Sequence, residues 1–306
     1  MEPALPAKVL LLGSTGFFGR GVAHRLLDGG YGLRCLVRDP LKAAAFKVRG
    51  AEIVIGDATN PASLNSACQG MDHAVSLVAV RRNEPQPFTE VNIDAPRYLA
   101  EACRARGVKS IVFVSAIGAR PDPHYRYLIS RWMGEEELKK GGVPCVILRF
   151  SMVIAEQGGF VDSFERAAKF GPVMVVPGGG TTRYQPILRE DAARCVVEAI
   201  SRPDLLGHTI ELGGPEVLTY EQIFEAFCQA RRLKKRRMKL PTAALMPGAA
   251  VMEMISKDPI VTTDELRMLA VDNLADGLDS VGVHFGFRPT APSGWIAENW
   301  KTVRSR

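Results

Sequence analysis

Apolar and polar positions follow two rhythms through the first half of the chain. Short, largely apolar runs at 9–12, 33–37, 51–55, 73–79, 110–115 and 144–150 read as strands, most of them buried on both faces. Between them the apolar positions recur at helical spacing: Val22, Leu26 and Leu27 after the first run, then segments 41–48, 61–68, 87–106 and 127–140. Asn60 and Pro61 have the residue types of a helix cap and first helical position. Strands alternating with helices this regularly predict an α/β fold with a doubly wound parallel sheet. Right-handed crossovers then place the strands' C-terminal ends on one side, where ligands bind at the switch in strand order.

The first strand–helix junction carries the most specific signal. In Lys8-Val-Leu-Leu-Leu-Gly-Ser-Thr-Gly-Phe-Phe-Gly19 the glycines stand at 13, 16 and 19. Gly13 suits a backbone turn closed to other residues. Gly16 lets a pyrophosphate approach the main chain, and Gly19 lets the helix pack close to the strand. The helix start adds unpaired N–H groups and a partial positive charge. Residues 1–150 are therefore expected to form a dinucleotide-binding Rossmann domain.

After residue 150 the rhythm breaks at Gly158-Gly159, Gly171-Pro172 and Pro177-Gly-Gly-Gly180. Helices are predicted over 190–201 and 220–232, and a strand over 208–212. Residues 151–306 read as a smaller, mostly helical substrate lobe, with segments near 186–214 returning to the main sheet. At 306 residues and 46% hydrophobic, the chain can bury a substantial core.

The six cysteines form no C-x-x-C pair, and the five histidines show no ligand spacing, so no metal site is expected and the thiols read as buried and reduced. No run approaches the roughly 18 apolar residues of a membrane span. The first apolar run is too short for a signal-peptide core, so a cytoplasmic location is the default expectation. The net charge of +6 is a mild hint of anionic partners.

Two positions bear on cofactor choice. Arg38 ends the second strand, where an arginine can pair with the 2′-phosphate of NADP and an acidic residue would bind the ribose hydroxyls of NAD. With Asp39 next to it, the pattern leans to NADP and leaves NAD open; a solvated surface arginine is the plain alternative. Asp57 ends the third strand and either accepts from the adenine amino group or caps the segment after it.

For chemistry, Ser115 closes the fifth strand, and Tyr127 and Arg131 stand four apart on one helix face. A tyrosine beside a cation is a reasonable general acid for hydride transfer to a carbonyl, and a serine hydroxyl can bind the same carbonyl. A half-buried aromatic beside an exposed arginine fits the same spacing.

Together these residues resemble the short-chain dehydrogenase/reductase superfamily, in its extended and atypical branches, over nearly the whole chain. The glycine spacing is the extended one, Asp57 stands where that family binds adenine, Val91-Asn92 matches the asparagine before the long helix, and Ser115 and Tyr127 match its serine and tyrosine. Within the superfamily the chain is most similar to relatives of the reductase-like accessory subunit of respiratory complex I. The features are Leu36-Val-Arg-Asp-Pro40, Val114-Ser-Ala-Ile-Gly-Ala119, Gly134-Glu-Glu, Leu212-Gly-Gly-Pro-Glu-Val-Leu-Thr219, Thr263-Asp-Glu-Leu-Arg-Met-Leu269 and Asp272-Asn273. The NmrA-like redox sensors are more distant.

The resemblance implies a cofactor site from Gly13, Ser14, Thr15, Gly16, Phe17, Phe18, Gly19, Arg38, Asp57, Ala58, Val78, Ala79, Asn92, Ser115, Tyr127, Arg131 and Phe150, with Tyr127, Arg131 and Ser115 as its catalytic set. Arg131 replaces the family lysine, and the fork of a guanidinium differs in shape and reach from an ammonium. The family's proline after the sixth strand is also missing, with Arg149-Phe150-Ser151 in its place. The first expectation is thus an oxidoreductase moving hydride between nicotinamide and a small-molecule carbonyl or alcohol. The second is a weakly catalytic or non-catalytic accessory, assembly or redox-sensing protein. The third is a nucleotide-sugar epimerase or dehydratase, with Arg149, Arg183 and Arg189 as clamp candidates.

Arg231-Arg-Leu-Lys-Lys-Arg-Arg-Met-Lys239 holds seven cations in nine residues, followed by sparsely charged residues 240–255 with Pro247 and three methionines. A basic segment beside an apolar one can dock on a membrane surface or protein complex through 231–255, giving a location peripheral to a membrane. A solvated helix end leading into core packing is the alternative. No aromatic interleaving supports a nucleic-acid partner.

Overall fold

Each run of the first half becomes a strand. The computed structural model describes residues 6–82, 87–169, 173–234, 236–256 and 259–300. In chain order the elements are β1 (Lys8–Leu12), α1 (Gly19–Asp28), β2 (Gly32–Val37), α2 (Ala44–Val48), β3 (Glu52–Ile55), α3 (Pro61–Ala67), β4 (His73–Ser76), α4 (Ala95–Arg106), β5 (Ser110–Ala116), α5 (Arg126–Lys140) and β6 (Cys145–Phe150). With the strand Thr209–Leu212 they form a seven-stranded sheet in the order Thr209–Leu212, β6, β5, β4, β1, β2, β3. The β1–β2, β1–β4, β2–β3 and β4–β5 ladders are parallel. Strand order reverses between β1 and β4, so the glycine loop after β1 opens at the switch point. This is the expected doubly wound sheet, and the strand from the 208–212 segment does join it.

Three local expectations are corrected. The helix expected over 87–106 divides into a wider, π-helical turn, Thr89–Asp94, and α4. Pro96 lies in the first turn of α4, where its missing N–H does least harm. The strand expected over 73–79 pairs only to Ser76. Beyond Leu12 the β1 backbone turns away at Gly13, φ +83°, so residues after Leu77, whose N–H reaches Leu12 O at 3.1 Å, have no ladder to continue. Of segment 41–48 only Ala44–Val48 is α-helical, after a 3₁₀ turn at Pro40–Ala43 capped by the Asp39 carboxylate.

The chain folds as two compact units: 1–121 with 127–149 and 192–210, and 122–126 with 150–191 and 211–306. The first unit's core joins Leu10, Leu12 and Leu36 with Ile111, Phe113 and Ile147 of the sheet, and packs them on Leu64, Leu99, Cys103 and Leu138 of the helices. Five of the six cysteines are buried and all are free thiols.

The second unit's core surrounds Phe164, whose ring meets Phe224, Phe227 and Tyr220 at 5.6, 5.3 and 5.7 Å. Buried Trp300 closes it, donating from Nε1 to Ala155 O at 2.8 Å. The helix Tyr220–Ala230 starts at a capping box of Thr219 and Gln222. The basic run starts as the expected helix end, with Arg231 as C-cap of the helix Tyr220–Ala230, but Arg236–Leu240 is a strand, parallel to Val173–Pro177, with residue 235 outside the described residues. It is a strand because alternate residues find opposite surroundings. Arg237 and Lys239 reach Glu221, and Arg237 also Glu225, on the helix Tyr220–Ala230, while Arg236 and Met238 face out.

Candidate functional site

The glycine loop is built as the spacing requires. Gly13 takes a left-handed backbone and Gly16 N closes the turn on Gly13 O at 3.1 Å. A Cβ on Gly19 would stand 1.9 Å from Gly13 O, so only glycine lets α1 start this close to the end of β1. A Cβ on Gly13 would press on Leu77 and Val78 at 3.3–3.4 Å, which places the loop against the end of β4. No side chain caps the N-terminus of α1. Ser14 is fully buried, its hydroxyl near the Cys35 thiol, whose pKa burial pushes up to about 11 against that hydroxyl's opposing effect. Only the main chain of Ser14 is left for a ligand, whereas Thr15, Phe17 and Phe18 are half-buried and Gly16 is exposed. Glycine conformation, close approach and uncapped helix together fit a dinucleotide's pyrophosphate.

Arg38 is exposed just beyond β2. Its neighbour Asp39 is engaged locally, accepting from Leu41 N at 3.0 Å. The half-buried Asp57 uses Oδ1 for an Asx turn, accepting from Thr59 N and Oγ1 at 2.9 Å each, and its Oδ2 has no partner among the described residues. The capping reading of Asp57 is seen in these contacts of Oδ1. A Cβ on Gly56 would stand 2.8 Å from Ser63 and 2.9 Å from Leu36, so glycine lets α3 pack here. Ala58 is half-buried on the same core.

At the chemistry end, Arg131 is 1% exposed. This corrects the picture of an exposed arginine on the helix face. Its guanidinium donates from Nη1 to Val78 O at 3.4 Å and from Nη2 to Val114 O, and lies over the Phe113 ring at 4.9 Å. It bridges the chain after β4 to β5 next to Ser115. Burial lowers its pKa below that of an ordinary guanidinium, opposed by nearby Tyr127 and Glu135. Tyr127 is half-buried, its ring 6.3 Å from Phe88. Ser115 is buried at the end of β5, and its Oγ has no hydrogen-bond partner among the described residues. Ala79 is exposed beside half-buried Val78. Phe150 is buried at the end of β6.

Asn92 spends its side chain internally. Its Oδ1 accepts from Val80 N and its Nδ2 donates to Val80 O and Ser130 Oγ, each at 2.9 Å. Ser130 Oγ in turn donates to Tyr127 O at 2.7 Å. Asn92 therefore positions the segment after β4 and the start of α5. Two further residues complete this frame: Ser130, which the sequence did not single out, and Gly134, which stood there only as part of Gly134-Glu-Glu. A Cβ on Gly134 would stand 2.0 Å from Asn92 O, so α5 meets the π-helical turn backbone to backbone. A glycine inside a helix, costing about 1 kcal/mol against alanine, is the signal that pointed to it.

The three arginines expected to clamp a second diphosphate are each paired with carboxylates. Arg149 makes a bidentate pair with fully buried Glu135 at 3.0 and 2.6 Å, Arg183 pairs with Asp272 at 2.9 and 2.6 Å, and Arg189 pairs with Glu190 and Glu156.

A family model described as NAD(P)H-binding matches residues 13–203, more than half of the chain and all of the glycine loop. The chain belongs to the NAD(P)H-binding family. Within it, similar proteins include the photosystem II assembly factor Ycf39 of Trieres chinensis, 24% identical over 76% of this chain and 72% of that one. The ceramide reductase of Caulobacter vibrioides is 28% identical over 80% of this chain and 77% of that one. Rat mitochondrial NADH dehydrogenase (ubiquinone) 1 alpha subcomplex subunit 9 is 27% identical over 67% of this chain and 56% of that one. The Ycf39 protein of Cyanophora paradoxa is 30% identical, with the match spanning less than half of its length.

The fold is that of the short-chain dehydrogenase/reductase proteins. A nucleoside-diphosphate-sugar epimerase of Staphylococcus aureus superimposes with TM-score 0.77 at 16% identity, over 95% of this chain and all of that one. An NADPH-dependent quinone oxidoreductase of Escherichia coli, solved with NADPH, superimposes with TM-score 0.71 at 20% identity, over 94% and 98%. The expected resemblance to the reductase superfamily and to relatives of the complex I subunit is borne out.

Proposed function

We propose that this NAD(P)H-binding protein holds NADP(H) as a lasting constituent and acts as an accessory or redox-sensing protein in which hydride transfer is slow. The observation that carries the reading is Arg131. A catalytic cation in this position has to reach the nicotinamide ribose, but this guanidinium is buried, with two nitrogens on the Val78 and Val114 carbonyls. It holds the chain after β4 to β5 and has little freedom left to tune Tyr127. Gly13, Gly16 and the N-terminus of α1 would hold the pyrophosphate, Arg38 the 2′-phosphate and Asp57 Oδ2 the adenine. When bound, the cofactor supplies hydride chemistry. Arg38 supports NADP because its acidic neighbour Asp39 is occupied as a cap.

Calorimetric titration tests the cofactor half. NADPH binds more tightly than NADH, and Arg38→Ala weakens NADPH about tenfold or more, the worth of one charged hydrogen bond, without changing NADH. An unchanged preference overturns the assignment. Turnover on a panel of carbonyls tests the other half. A rate near the ordinary enzyme range of about 10 s⁻¹ that is lost in Tyr127→Phe overturns the accessory reading in favour of an oxidoreductase. That second reading has its own support in the buried, unpartnered hydroxyl of Ser115, a donor suited to a substrate carbonyl.

A further inference from the structure

The helix Thr242–Ile255 and the strand before it form a surface that the NADP(H) reading does not use. Among the helix's 14 residues only Ala249 is buried. Val251, Met254 and Ile255 are 55%, 86% and 79% exposed. Its single charged residue, Glu253, is exposed and accepts from Thr263 N at 2.8 Å. Apart from the exposed Glu253, what the helix offers to solvent is apolar or small, which is unusual for a helix in water.

The strand Arg236–Leu240 adds a second apolar face with cations on it. Its register pairs Arg236 with Val173 and Met238 with Val175. All four are exposed, while Met174 and Val176 on the opposite face are buried. Arg232, Lys234 and Arg236 are exposed and have no carboxylate partner among the described residues, in contrast to Arg231, Arg237 and Lys239, which pair with glutamates. Three cations without carboxylate partners among the described residues, next to an exposed apolar strand face and followed in the chain by a helix whose one charge is Glu253, complement one kind of surface. Its headgroups are anionic and its interior takes methionine, valine and isoleucine side chains. No helix among the described residues is long and apolar enough to cross a membrane.

We propose that the strand Arg236–Leu240 and the helix Thr242–Ile255 dock this protein on the surface of an anionic lipid bilayer. Arg232, Lys234 and Arg236 lie against the headgroups, and Met238, Val251, Met254 and Ile255 enter the acyl boundary. Flotation of the full chain with vesicles tests it. Phosphatidylcholine containing phosphatidylglycerol carries the protein upward, pure phosphatidylcholine does not, and added salt weakens the binding. The triple variant Arg232→Glu, Lys234→Glu, Arg236→Glu loses more than tenfold in binding, and Met254→Glu with Ile255→Glu loses it even at low salt. Both variants keep the wild-type melting temperature, which shows that they fold. The docking site is overturned if the wild type stays with the free protein at low salt, or if both variants float as the wild type does. It is also overturned if light scattering finds a wild-type dimer that Met254→Glu with Ile255→Glu turns into monomer, because a second copy then covers the face.

Discussion

Arg131 keeps the charge of the lysine that the family carries here and turns it to backbone carbonyls. Lysine would place one ammonium at the end of a flexible stem, whereas the guanidinium fork satisfies two carbonyls at once and lies over Phe113. Arg131→Lys cannot bracket both Val78 and Val114, so its melting temperature falls. It also frees a cation for the ribose and Tyr127, and carbonyl turnover rises by about a hundredfold, the lower end of what acid–base catalysis contributes. Melting curves and NADPH oxidation assays measure both; a variant that loses stability without gaining rate shows that the lysine's absence is not what limits the chemistry. Spacing alone made the shared helix face of Tyr127 and Arg131 legible, because residues four apart are neighbours on any helix. It said nothing of depth, and depth decides whether the cation meets solvent, substrate or backbone. The glycine loop was legible in more detail because left-handed turns and contacts at 1.9 Å exclude nearly every other residue.

At the scale of elements, the site rests on the contact between α5 and the π-helical turn Thr89–Asp94. Helix propensity alone favours Gly134→Ala by about 1 kcal/mol. The added methyl, 2.0 Å from Asn92 O, outweighs this, since overpacking costs about 1–3 kcal/mol and the displaced Asn92 also holds Val80. The variant is expected to be less stable in denaturant titration and weaker in NADPH binding; a more stable variant shows that the turn gives way freely. The β4–β5 ladder predicts a pH response. His73, 2.8 Å from Ser110 Oγ, has its pKa lowered by burial, partly opposed by Asp72. Its folded pKa lies below the unfolded value of 6.5, so its stabilising effect is present above pH 6.5 and is lost as pH falls through the folded value. His73→Gln flattens the fall in melting temperature between pH 7 and 5; an unaltered slope assigns that fall to other groups. Strand and helix types were readable from periodicity, but the π-helical turn and the basic strand were not. The first depends on a backbone contact with Gly134 and the second on glutamates of the helix Tyr220–Ala230, both remote in sequence.

At the scale of the whole molecule, a boundary at residue 150 follows the change in sequence rhythm, whereas the compact units interleave, the first reclaiming residues 192–210. Rhythm points to segments near 186–214 returning to the main sheet but does not name the partner strand, which for Thr209–Leu212 is β6. That pairing is specific here: Gly207 N donates to Cys145 O at 2.7 Å and Ile147 N to His208 O at 3.0 Å. A fragment ending at 150 would expose β6 as a long apolar edge, with Val146, Ile147 and Leu148 all buried in the full chain. It also lacks the helix Arg189–Ala199, whose Ala192, Ala193, Val196 and Val197 are buried. The fragment 1–150 is therefore expected to aggregate and to show no cooperative melting, although it contains the whole glycine loop. The full chain is expected to melt cooperatively and, if it takes NADPH as proposed, to gain about 2.7 kcal/mol at a hundred times the dissociation constant. Size-exclusion chromatography and thermal shift on the two proteins measure the difference. If the fragment is monomeric and is shifted by NADPH as the full chain is, the segment 192–210 only decorates the first unit and the cofactor site needs nothing beyond residue 150.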